Sequence, residues 1–147
     1  MFLSNFLSNL TVSRGSAFIW DSKIKNLKII SNFRCLDLDL LVGVERQKKT
    51  ILNNTVNFSE GNFTNNALLW GSRGNGKSSL IKSVFNEVSK KNKNLKLIQL
   101  NKNNIFDIEI IYEKYAIFKN FNFIIFIDDL SFEKIDSDYK IIKSTLD

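Results

Sequence analysis

Residues 71–78 read Gly-Ser-Arg-Gly-Asn-Gly-Lys-Ser, which is the spacing G-x-x-x-x-G-K-[ST] of a phosphate-binding loop. Glycines in such a loop can adopt positive φ angles, so that successive backbone N–H groups point at an anion. Lys77 supplies a compact positive charge for the β and γ phosphates of a nucleotide, and the Ser78 hydroxyl is a suitable ligand for the Mg²⁺ that they carry. We therefore expect a nucleotide phosphate site here, with positive φ angles at Gly71, Gly74 and Gly76.

Two neighbouring aspartates, Asp128 and Asp129, follow an apolar run at residues 123–127. An acidic residue at the carboxyl end of a buried parallel strand lies where open α/β sheets bind their ligands. In a chain that also has a phosphate loop, Asp128 is predicted to hold the hydration shell of Mg²⁺. Asp129 is then the candidate that orients or deprotonates the water attacking the nucleotide.

Strands and helices alternate around these two motifs, which predicts an α/β fold with a mainly parallel sheet. The strand ending in the two aspartates is expected to be buried on both faces. The predicted strands are Ala67–Trp70, Leu95–Leu100 and Phe121–Ile127; the predicted helices are Val44–Phe58, one starting near Ser78, Asp107–Lys119, and a last one with Ile135, Tyr139, Ile142 and Leu146 on one side.

The first 39 residues are harder to interpret. Residues 1–10 have apolar side chains at helical spacing with no basic face, which favours a short helix docking on protein rather than a signal peptide or a membrane-surface helix. Thr11 to Asp39 has no assignable pattern, although Ala17–Trp20 is a dense apolar cluster. We therefore divide the chain into an extension, 1–39, helical or irregular, and a nucleotide-binding portion, 40–147.

Composition excludes several kinds of chemistry. The 147 residues contain no histidine, which removes Ser-His-Asp catalysis and histidine-ligated zinc. The single cysteine, Cys35, excludes an internal disulfide framework and, without a secretory signal, favours a cytoplasmic protein. The longest apolar run is far shorter than the ~20 residues of a membrane span, so no membrane partner is expected.

The net charge of +6 raises the possibility of a nucleic-acid partner. The lysines are scattered, however, and no block alternates arginine with exposed aromatic residues, so nothing in the sequence supports that partner specifically. Asn101–Asn104 has some likeness to the guanine-reading Asn-Lys-x-Asp motif but ends in Asn and precedes the acidic strand. Both Trp20 and Trp70 are expected in the core or in a pocket wall.

Residues 71–79 and 124–129 resemble the Walker A and Walker B motifs of AAA-type ATPases. Three longer stretches, 41–48, 66–79 and 126–133, resemble more narrowly the uncharacterised ATPase family called domain of unknown function 815. The likeness covers most of the chain, and Asp-Asp-Leu-Ser-Phe-Glu at 128–133 is its most distinctive element.

This resemblance implies a P-loop NTPase core with three α/β/α layers and the ligands ATP and Mg²⁺. Asp129 stands where most AAA-type proteins carry Glu, and its shorter reach bears on the hydrolysis rate. The residues that would bind the nucleotide phosphates are Gly71, Ser72, Arg73, Gly74, Asn75, Gly76, Lys77, Ser78 and Ser79; those that would flank the adenine are Leu41, Val42 and Gly43. Lys77 and Asp129 would be catalytic, and Ser78 and Asp128 would be metal ligands.

AAA-type proteins have a further central strand with a polar sensor residue, an arginine finger and a helical lid, and this sequence stops before all three. We therefore expect that the chain is a fragment of a longer protein or that a partner completes it. AAA-type relatives are often rings, so a homo-oligomer is one possible completed form. The first hypothesis is a Mg-dependent ATPase, inactive or very slow in this form. The alternative is a nucleotide-gated module that binds protein or DNA without significant hydrolysis, and a small-molecule kinase is a third.

Overall fold

The structure, a computed structural model, describes residue 8 and residues 10–130. The elements in chain order are helix α1 at residues 10–14, strand β1 at Ala17–Asp21, strand β2 at Asn26–Ile29, a 3₁₀ turn at Leu38–Leu40, helix α2 at Glu45–Ser59, helix α3 at Lys77–Lys91, strand β3 at Leu95–Leu100, a 3₁₀ segment at Lys102–Asp107, helix α4 at Ile108–Tyr115 and strand β4 at Asn122–Ile127. Among these described residues, no helix is both long and apolar enough to cross a membrane.

The four strands form one open, mostly parallel sheet in the order β2-β1-β3-β4. β1 pairs with β3 in parallel, with Phe18 opposite Ile98, and with β2 in an antiparallel hairpin, with Trp20 opposite Leu27. The described chain is therefore of the mixed α/β class, as the alternation of elements predicts.

The chain divides into two compact units, and the sheet, apart from Leu95, belongs to the first, whose described residues are 8, 10–31 and 96–130. Its core is an apolar cluster that joins the inner faces of β1 and β3 to α4. Side chains alternate across a strand and recur every three or four residues on a helix, which gathers these positions on one side of each element. The cluster consists of Val12, Phe18, Trp20, Leu27, Ile98, Leu100, Ile108, Ile111 and Tyr115.

The second unit contains residues 32–95 and is built on α2 packed against α3. α3 buries Leu80, Val84, Phe85 and Val88, which recur at helical spacing on one side. The side chain of Asn92, just after α3, donates a hydrogen bond to the carbonyl oxygen of Ser59 at the end of α2. The two helices are thus held together at both apolar and polar contacts.

Several predicted elements are confirmed. β3 has the predicted bounds Leu95–Leu100, α2 begins and ends one residue later than predicted, and β4 begins one residue later. α4 is shorter than predicted, because the residues before Ile108 form a 3₁₀ segment and the helix ends at Tyr115. The predicted final helix with Ile135 and Leu146, and most of the predicted helix at 1–10, lie outside the described residues.

Two expectations are wrong. Ala67–Trp70 is not a strand: residues 62–70 are coil, and Trp70 is 87% exposed rather than buried. β3 already pairs with β1 on one side and with β4 on the other, so it has no free edge for Ala67–Trp70. An apolar run of four residues is too short to form a stable strand unless another strand pairs with it. β4 is not buried on both faces, since it ends the described sheet and only Phe126 is buried. The unassigned stretch before Asp39 contains the β1–β2 hairpin.

Candidate functional site

The phosphate loop at residues 71–76 connects coil to the first turn of α3. All three of its glycines have positive φ angles, +136° at Gly71, +82° at Gly74 and +74° at Gly76, as the sequence predicts. An L side chain is strained at such angles, so these positions require glycine for the loop to curl back on itself. The left-handed Gly76 is the residue from which α3 begins.

Lys77, the first residue of α3, holds the curled loop closed. Its ammonium nitrogen donates hydrogen bonds to the carbonyl oxygens of Gly71 at 2.9 Å and Ser72 at 2.6 Å. The side chain therefore folds back over the loop instead of extending into solvent. The positive charge of Lys77 and the positive end of the α3 dipole lie at the same loop, where an anion is stabilised.

The other predicted phosphate-binding residues lie along the same short segment. Ser72, Arg73 and Asn75 are exposed, whereas Ser78 and Ser79 are half-buried in the first turn of α3. The amide of Leu80 donates to the carbonyl oxygen of Gly76 at 2.8 Å, which starts the helical hydrogen-bond ladder. The loop thus combines exposed backbone with a fixed helix start, as an anion site requires.

The segment predicted to flank an adenine, Leu41 to Gly43, belongs to the same unit as the phosphate loop. Leu41 is buried, at 9% exposure, whereas Val42 is 84% exposed. Gly43 has a φ angle of +83° and stands just before α2. The exposed apolar side chain of Val42 is the part of this segment that could contact a planar apolar ligand.

Asp128 and Asp129 follow β4 in the other unit. The backbone N–H of Asp129 donates to Oδ1 of Asp128 at 2.9 Å, and Asp129 has a φ angle of +55°. A left-handed conformation is uncommon for a residue other than glycine, and non-glycine residues that adopt it are enriched at functional sites.

Lys102 is a neighbour of the acidic pair that sequence reasoning missed. Its ammonium nitrogen lies 3.4 Å from Oδ2 of Asp129, with both side chains about half exposed. Lys102 follows β3, so the adjacency of β3 and β4 in the sheet brings these residues together across 27 positions of sequence. One sequence signal could have found this contact. Lys102 and Asp129 each follow a predicted strand, and the carboxyl ends of neighbouring parallel strands lie at the same edge of a sheet.

The Asn101–Asn104 stretch around Lys102 has a structural role. The side chain of Asn101 accepts a hydrogen bond from the backbone N–H of Asn103 at 2.9 Å and so caps the 3₁₀ segment. This local turn is the usual behaviour of asparagine after a strand. The side chain of Asn101 thus has a structural role that needs no guanine ligand.

Comparison with known proteins identifies one family. A family model described as "Protein of unknown function (DUF815)" matches residues 13–147, which is nearly the whole chain. No curated protein and no solved structure shows significant similarity to this chain.

Proposed function

The chain belongs to the DUF815 family, whose function is unknown, and we propose that it binds ATP with Mg²⁺ at the loop 71–78 and hydrolyses it slowly. The observation that carries this proposal is the glycine loop closed on Lys77 at the start of α3. Its curvature, exposed backbone and positive charge suit a polyphosphate better than any other common ligand.

Lys77 would act by exchanging partners. Without ligand, its ammonium group satisfies two neutral carbonyl oxygens of the loop. Phosphate oxygens are anionic, so a contact with them adds the attraction between two full charges to the hydrogen bond that the ammonium already makes with a neutral carbonyl. The ammonium already lies over the loop, so little side-chain entropy remains to be lost when a phosphate takes the place of the carbonyls.

Ser78 and Asp128 are the residues proposed as metal ligands. The Ser78 hydroxyl and the Asp128 carboxylate are hard oxygen ligands of the type that Mg²⁺ prefers. When bound with ATP, the ion neutralises charge on the β and γ phosphates. Asp129 would orient the attacking water through its carboxylate, and its side chain, shorter than that of Glu, is the reason to expect slow turnover.

Val42 and its neighbours Leu41 and Gly43 would flank the adenine, with the exposed side chain of Val42 against the ring. A cytoplasmic location and a homo-oligomeric state are further parts of this proposal; they are inferred from the sequence and from the resemblance to AAA-type proteins. Catalysis in such a site would consist mainly of positioning and charge neutralisation.

Titration with MgATP tests the site. Trp70 is 87% exposed and adjacent to the loop, so its fluorescence should change on binding and the change should be lost in Trp70→Phe. Lys77→Met removes charge-assisted hydrogen bonds worth about 1.5–3 kcal/mol, which corresponds to roughly 10- to 150-fold weaker binding. Lys82→Met on α3 is the control and should bind like wild type. Equal affinity of wild type and Lys77→Met would refute the site.

Hydrolysis is tested separately. Asp129→Asn should bind MgATP with unchanged affinity and lose any phosphate release, because the amide cannot take a proton from water. Phosphate release that is undiminished in Asp129→Asn would remove Asp129 from the mechanism without affecting the binding proposal.

A nucleotide-gated binding module is the second candidate. The net charge of +6 and the presence of Asp rather than Glu at 129 favour it. It predicts ATP-dependent affinity for DNA that falls steeply as salt is raised. A DNA affinity that ATP does not change, or no binding at low salt, would dismiss the DNA-binding form of this candidate.

A further inference from the structure

A cleft of about 830 Å³ lies in the second unit, between residues 37–40 and the helices α2 and α3. It is unrelated to the phosphate-loop residues, none of which lines it. Such a volume is in the range that accommodates a drug-sized ligand or a few side chains of a peptide.

The charges of this unit are distributed unevenly around the cleft. Residues 32–95 contain ten lysines and arginines but only five carboxylates, namely Asp37, Asp39, Glu45, Glu60 and Glu87. All of these carboxylates except Glu45 line the cleft. Four of the five negative charges of a basic unit therefore meet in a single concavity, where they produce a local negative potential.

The cations at the cleft offset only part of this charge. Lys90 forms an ion pair with Glu87 at 3.3 Å, and Lys91 is the other lysine in the lining. Within the described part of the chain, no ion pair engages Asp37, Asp39 or Glu60. These three carboxylates thus remain available to a cationic ligand.

Apolar side chains form another part of the lining. Leu52 and Val56 of α2 and Val88 of α3 contribute to it. In the sequence Leu36-Asp-Leu-Asp-Leu40, leucines alternate with the two aspartates, and the side chains of Leu36 and Leu40 are 48% and 65% exposed. The surface is therefore amphipathic, with carboxylates beside exposed leucines.

Polar contacts hold the walls of the cleft in place. The Ser83 hydroxyl of α3 donates to the carbonyl oxygen of Leu36 at 2.6 Å, which ties the 37–40 segment to that helix. The Asn92–Ser59 hydrogen bond joins the ends of α2 and α3. A preformed concavity loses little entropy when it is occupied, so weak contacts suffice for measurable affinity.

We propose that this cleft binds a lysine- or arginine-bearing amphipathic segment of a partner protein. The basic groups would meet Asp37, Asp39 and Glu60, and the apolar side chains of the segment would cover Leu36 and Leu40. Nucleic acid does not fit, because its phosphates would face carboxylates. The proposal is independent of the nucleotide site and holds whether or not ATP binds.

The test uses the full chain and a fluorescent 14-residue helical peptide of leucine and lysine, followed by anisotropy at low salt. The net charge of +6 repels a cationic peptide, so binding requires a specific acidic site. Removing two surface ion pairs, as in Asp37→Asn/Asp39→Asn, should weaken binding roughly five- to tenfold. Glu45→Gln/Glu113→Gln changes the net charge equally outside the cleft and should bind like wild type.

Three kinds of outcome would overturn the proposal. The first concerns the leucine–lysine peptide, which would either not bind at low salt or lose affinity equally in both double variants. Another is equal binding of a leucine–glutamate peptide, which would show that charge is not recognised. The third is self-association of wild type, seen by sedimentation velocity and lost in Asp37→Asn/Asp39→Asn, which would make a second copy the occupant.

Discussion

Asp107 joins the start of α4 to strand β1 through two hydrogen bonds to one carboxylate oxygen. The indole Nε1 of Trp20 donates to Oδ2 of Asp107 at 2.8 Å, and the hydroxyl of Ser22 donates to the same atom. Trp20 is only 3% exposed. Asp107→Ala therefore leaves a buried indole N–H without an acceptor, and we expect a large loss of stability.

The magnitude follows from these contacts. A buried donor without a partner costs about 1–3 kcal/mol, and the half-buried Ser22 hydroxyl, which can reach water, adds about 0.5–1 kcal/mol. Asp107→Ala should lower the free energy of unfolding by about 2–4 kcal/mol. Asp107→Asn keeps an acceptor oxygen and loses only the charge, so it should cost about 1 kcal/mol.

Urea unfolding measures these differences, followed by the fluorescence of Trp20 in a Trp70→Phe background. Glu113→Ala removes an exposed carboxylate from α4 and should change stability by less than about 0.5 kcal/mol. If Asp107→Ala lies within 0.5 kcal/mol of that control, the Trp20–Asp107 contact does not stabilise the fold and the reasoning fails.

The same network predicts a pH dependence. The hydrogen bonds from Ser22 and Trp20 and the charge of Lys25 hold the pKa of Asp107 below its ordinary value, although burial opposes them. Because the pKa is lower in the folded state, the carboxylate stabilises the fold above its unfolded pKa of about 3.9, and this contribution is lost as the pH falls through the folded pKa. The stability difference between wild type and Asp107→Asn should be constant from pH 7 to 5 and shrink below about pH 4.

Two further variants test the loop and the core, each against a matched control. Gly76→Ala should cost about 1 kcal/mol, because a Cβ there meets no atom within 4 Å and only the positive φ is strained. Gly61, just after α2, has a similar positive φ and open surroundings, so Gly61→Ala should lose similar stability in urea. Only Gly76→Ala should weaken MgATP binding, and equal binding by the two variants would contradict the role of the loop. Lys96 is buried on β3 and its ammonium donates to the carbonyl oxygen of Gly15 at 2.7 Å, so Lys96→Met should lower the free energy of unfolding by about 1–3 kcal/mol. Lys93→Met, at an exposed position, should leave it unchanged in the same denaturation assay, and equal effects would show that the Lys96 contact carries no stability.

Elements whose signals are local were predicted well. Leu95–Leu100 is a mainly apolar segment bounded by asparagines, and its strand has the predicted bounds. The positive φ angles of the loop glycines follow from the motif alone, because only glycine adopts them without strain. In both cases the residues that determine the conformation are adjacent in sequence.

Elements that depend on distant neighbours were not predicted. Ala67–Trp70 resembles a strand, but a short apolar run becomes one only when another strand pairs with it. The β1–β2 hairpin was missed because its second strand, Asn26–Ile29, is half polar, and it is defined by the register of Trp20 against Leu27. Such pairing is a tertiary property that periodicity does not encode.

The same distinction separates the two halves of the proposed chemistry. Lys77 contacts carbonyl oxygens five and six residues away, so its closed loop is a local structure encoded by the glycine spacing. Asp129 meets Lys102 across 27 residues, through the pairing of β3 with β4. Nucleotide binding at the loop should therefore tolerate most changes to the sheet. The conformation of Asp129 depends on β3, so changes in β3 that leave binding intact should still alter the rate of any hydrolysis.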